Sequence, residues 1–78
     1  MPRIKEIAGP YRVFFTSFDC NEPPHVHVER ESRTCKFWLE PVSLARNHGF
    51  TARELNVIRR IIEANRIRIR EAWHEHCG

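Results

Sequence analysis

His25 and His27 stand one residue apart in the run Asn21-Glu22-Pro23-Pro24-His25-Val26-His27-Val28-Glu29. Two prolines disfavour helix up to Pro24, and the alternation that follows reads as a β-strand whose successive side chains point to opposite faces. The imidazoles then share a face with Glu29, with Cα atoms about 6.5 to 7 Å apart, and imidazole is the side chain whose ordinary charge change falls near neutral pH. Two such rings suit metal-free RNA cleavage. A neutral ring takes the proton of a 2′-hydroxyl, a charged ring protonates the leaving 5′-oxygen, and an arginine stabilises the phosphorane. His25 and His27 are therefore the candidate catalytic pair. A His-x-His pair also chelates Zn²⁺ if a further ligand comes from Asp19, Cys20, Glu29 or His48, though none has a diagnostic spacing. The plainest alternative is structural: the Pro-Pro-His-Val-His run shapes a turn whose rings bond to the loop or to Glu29.

Candidate RNA or phosphate contacts surround this strand. If a helix covers the valine face, then Arg12, Phe14, Lys36 and Trp38 join the histidines on the open one. Imidazole, cation and aromatic ring together are the composition that stacks bases and neutralises phosphates. Arg59, Arg66 and Arg70 fall within about 40° of arc on the C-terminal helix and would reach round a sheet edge. An arginine row beside a buried stripe serves equally as its solvated border. His48 has two readings, orienting the helix start or taking part in catalysis. Trp38 has two as well, a base-stacking platform or part of a protein interface.

The elements that must position these residues are legible from composition. Tyr11 to Phe15 is a β-branched and aromatic run, His25 to Glu29 a second strand, Thr34 to Leu39 a third, and Val42 to Ala45 an edge strand after Pro41. Glu31-Ser32-Arg33 has hairpin length. Thr51 and Glu54 form a Ser/Thr-x-x-Glu capping box, with Phe50 and Leu55 as a hydrophobic staple. Leu55, Ile58, Ile62, Ile69 and Trp73 then form one apolar stripe flanked by Ile61 and Ala72, with a weak point at Asn65. The fold expected is a small α+β domain. It has an antiparallel meander of three or four strands with one long C-terminal helix on one face.

Length and charge bound the rest. The 78 residues make one domain, 1–78, and the net charge of +3 is compatible with a phosphate-bearing or acidic partner. Three cysteines, Cys20, Cys35 and Cys77, with no Cys-x-x-Cys spacing argue against both a closed disulfide framework and a four-thiolate zinc site, and for a reducing cytoplasm. His74, His76 and Cys77 look like a frayed end. No apolar run follows the charged N-terminus and none approaches the ~20 residues of a membrane span, so a soluble, cytoplasmic protein without cofactor is expected.

Pro-Pro-His-Val-His-Val, with Met1-Pro2-Arg3-Ile4, His48-Gly49-Phe50 and Glu71-Ala72-Trp73-His74-Glu75, resembles the bacterial family called domain of unknown function 4160. The resemblance covers essentially the whole chain and brings no established activity with it. Genes of that family often lie beside another small domain in the manner of a toxin and its antitoxin, which implies a cognate small protein partner. The expected function is thus the toxin-like member of a two-gene module acting on RNA, as a metal-free endoribonuclease. The alternatives are a non-enzymatic protein-binding module of the same gene pair and a His-x-His metal-binding domain.

Overall fold

The computed structural model describes residues 9–16 and 19–78, with the side chain of Asp19 left aside. The opening motif Met1 to Ile4 and the candidate ligand Asp19 lie outside what is described. Four strands, β1 (Arg12–Phe14), β2 (His25–Arg30), β3 (Arg33–Leu39) and β4 (Val42–His48), form an antiparallel sheet in the order β1-β2-β3-β4. Two helices follow, α1 (Ala52–Ala64) and α2 (Arg66–Cys77). The α+β meander is as the sequence implies, with β4 running to His48 rather than stopping at Ala45.

The single long helix is corrected to two. Asn65 has φ −114° and ψ 17°, and its side-chain Nδ2 donates to the Ile61 carbonyl at 2.8 Å. A short amide side chain that bonds the preceding turn in this way competes with helix propagation, and the chain restarts at Arg66. The start of α1 follows expectation. Thr51 and Glu54 cap reciprocally, Phe50 is buried, and Leu55 packs against the core.

One face of the sheet carries the core. Val13, Val26, Val28, Cys35, Phe37 and Leu39 meet Ile58, Ile62, Ile69 and Trp73 of the helices, all at 5% exposure or less. Register fixes the opposite face. Phe14 pairs with His27, His27 with Lys36, and Lys36 with Arg46, giving one row across four strands. A second row runs Arg12, Glu29, Thr34, His48, and a third joins His25 to Trp38 and Ser43. A bulge after Lys36 slips β4 by one residue at Ala45 and returns Arg46 and His48 to the row face.

The cysteine expectation is overturned. Cys20, in a short 3-10 turn (Asp19–Asn21), is disulfide-bonded to Cys77 at the end of α2 across a separation of 57 residues. An odd count had seemed to exclude a framework, but one pair plus a buried thiol, Cys35, accounts for all three. The C-terminus is correspondingly tied rather than frayed. Among the described residues no helix is long and apolar enough to cross a membrane.

Candidate nucleic-acid interface

His25 and His27 do lie side by side on β2, as the alternation requires. Their rings meet edge to face, with centroids 5.2 Å apart and an interplanar angle of 86°. Their surroundings differ. His25 is at the first position of β2, directly after Pro23 and Pro24. Its ring is fully buried, with the Trp38 centroid at 5.6 Å and the Trp73 centroid at 5.2 Å. Nδ1 lies 2.9 Å from the Pro23 carbonyl oxygen. A carbonyl only accepts, so the proton is on Nδ1 and the ring is held in that tautomer.

The expectation that both imidazoles open on solvent is therefore corrected. Register pairs His25 with Trp38 as expected, but its ring is enclosed between the proline turn, Trp38 and the core residue Trp73. No substrate atom reaches this ring in the present conformation.

His27 sits two residues further along and is only half-buried. It stacks on Phe14 at 5.4 Å and lines a groove of about 240 Å³ together with Thr34, Lys36, Arg46 and His48. The groove is the open sheet face itself, carried by the first two register rows. Its two histidines are two strands and two residues apart, so by sheet spacing their Cα atoms lie about 12 Å from one another. They flank the groove rather than form a couple.

The cations divide by face. Lys36 lies over the Trp38 ring at 4.6 Å and pairs with Glu22 from the turn before β2. Arg12 lies over Phe14 at 5.2 Å and pairs with Glu29 at 2.6 Å. Arg46 is exposed, and among the described residues no carboxylate pairs with it, which makes it the most available positive charge of the groove. Trp38 is half-buried beside His25, so one flank of its ring is committed to the interior.

Arg59, Arg66 and Arg70 are not brought to the histidines. They are exposed on the helices, which cover the other face. Arg70 does reach a sheet end, where its Nε donates to Glu40 at 2.7 Å, and Arg66 borders the cleft at the α1–α2 junction with Glu63 and Glu71.

Arg46 lines the groove although the sequence did not single it out, and His48, weighed there for the helix start, for catalysis and as a metal ligand, lines it too. The bulge that turns them onto the face has no sequence signal of its own. Of the two readings of His48, orienting the helix start or taking part in catalysis, the first is met by its neighbour Asn47. Its Nδ2 donates to the Phe50 carbonyl at 2.9 Å and its Oδ1 accepts from the Phe50 N–H at 3.1 Å.

No curated protein and no solved structure matches this chain. The family model described as Domain of unknown function (DUF4160) matches residues 11–74, a stretch that contains all four strands, α1 and most of α2. The chain belongs to the domain of unknown function 4160 family.

Proposed function

We propose that this protein binds single-stranded RNA across the open face of its sheet. The observation that carries the reading is the groove where Phe14, His27, Lys36, Arg46 and His48 converge. Cations there neutralise phosphate, and the Phe14 and His27 rings offer faces on which bases stack. In the two-gene setting implied by the family resemblance, this binding is the toxin-like action and a cognate small protein neutralises it. Cleavage by the His25 and His27 couple is not part of the proposal, because an enclosed His25 leaves only one of the two rings in reach of a 2′-hydroxyl.

Fluorescence anisotropy with a labelled single-stranded RNA tests the reading. Arg46→Ala is expected to weaken binding and to reduce the slope of log affinity against log salt by about 1, while Arg59→Ala on the helix face changes neither. Equal losses in the two variants, or no binding by the parent protein, would reject it.

A second reading has one observation in its favour. Among the described residues β4 pairs on one side only and presents Leu44 at 40% exposure, an arrangement open to strand addition by a protein partner. That reading predicts loss of partner binding in Leu44→Lys with RNA affinity retained.

A further inference from the structure

We propose that Cys20, His76 and Cys77 form a Zn²⁺ site in the thiol state of the protein, the metal taking over from the disulfide as the clasp between the 3-10 turn and the end of α2. One ligating atom from each of the three residues lies within 4.8 Å of the others. Two thiolates and an imidazole are a donor set suited to Zn²⁺, leaving a fourth tetrahedral position for water. Cys20 is exposed and the other two are half-buried, so an ion and its water have access.

The imidazole is already set for this role. His76 Nε2 lies 2.8 Å from the Thr16 carbonyl oxygen, which only accepts, so the proton is on Nε2 and the lone pair on Nδ1. A ligating histidine characteristically gives its other N–H to such a carbonyl, which fixes ring orientation and raises basicity. Stacking on Phe15 at 5.6 Å and 17° holds the ring from a second side. The third cysteine does not compete, since burial pushes the Cys35 thiol up to about 12 and keeps it protonated.

The need for a second clasp follows from size. A domain of 78 residues relies on staples, and a disulfide does not persist against a thiol-rich medium. A dithiol reductant gives two electrons and two protons to the Cys20–Cys77 bond, yielding two thiols and its own disulfide. Zn²⁺ then binds and both thiol protons pass to solvent. In reverse, oxidised glutathione takes the two thiolate electrons and two protons, leaves as two thiols, and the metal is released as the protein disulfide forms.

The test uses the full chain, reduced and freed of reductant, titrated with Zn²⁺ alone and with Co²⁺ as a spectroscopic probe. One equivalent should bind, with tetrahedral cobalt bands and thiolate-to-cobalt charge transfer. At a hundredfold excess over the dissociation constant, Zn²⁺ should raise the Tm of the reduced protein by roughly 10 °C or more. His76→Ala should weaken binding at least tenfold, and Cys35→Ser should leave it unchanged. His76→Ala keeps both disulfide cysteines, so circular dichroism of its oxidised form checks the fold. The proposal is overturned if reduced protein shows no stoichiometric binding, if cobalt shows no thiolate band, or if the disulfide form binds Zn²⁺ equally well.

Discussion

The His25 and His27 rings touch edge to face at 5.2 Å, yet only His27 reaches the groove, because Trp73 and the Pro23 carbonyl enclose its neighbour. The two positions should therefore respond oppositely to truncation. His25→Ala empties a packed aromatic site and removes a buried hydrogen bond, at a cost of about 2 to 4 kcal/mol in urea unfolding. His27→Ala should cost under about 1 kcal/mol and weaken RNA binding instead. Similar stability losses at the two sites would show that the rings are equivalent after all.

Phe14 separates stacking from charge within the groove. Its ring lies against His27 and under the Arg12 guanidinium. Phe14→Ala should lose about 1 to 3 kcal/mol of RNA affinity without changing the salt slope, since no phosphate contact is removed. A changed slope with unchanged affinity at low salt would point to charge alone.

Cys35 gives stability a pH dependence of defined sign. Its thiol has an ordinary value of 9.0 and is pushed up to about 12 by burial in the core. The folded state thus holds a proton that the unfolded chain releases. The resulting stability is complete below about pH 9 and falls as pH rises towards 12. Cys35→Ser should flatten that alkaline decline in urea midpoints, and an unchanged decline would assign it to other groups.

Gly49 is required where β4 turns into α1. Its φ is +100°, and a Cβ there would stand 2.9 Å from Cγ of Arg33. Arg33 cannot easily yield, because its Nη1 donates to both Glu54 oxygens at 2.9 and 3.0 Å and its guanidinium lies over Phe50. Gly49→Ala should cost about 1 to 3 kcal/mol, read as a lower urea midpoint. No change in midpoint would mean that the junction relaxes freely.

Local pattern carried most of the fold. Alternation along β2 and β3 placed Val26, Val28, Phe37 and Leu39 in the core, and Thr51 with Glu54 marked the helix start, because period and capping are short-range properties. What closed over His25 was long-range: Trp73 lies 48 positions further along the chain, and no spacing rule couples it to a proline turn. The Cys20–Cys77 bond was hidden in the same way, by separation along the chain, whereas the position of Arg46 was hidden by a local bulge.

The most direct test of RNA binding at the open face is a ¹⁵N-resolved NMR titration of the oxidised protein with a short single-stranded RNA. The amides of Phe14, His27, Lys36, Arg46 and His48 should shift together and saturably, with those of Arg59 and Arg66 unmoved. Shifts centred on the helix arginines, or none at saturating RNA, would contradict the account.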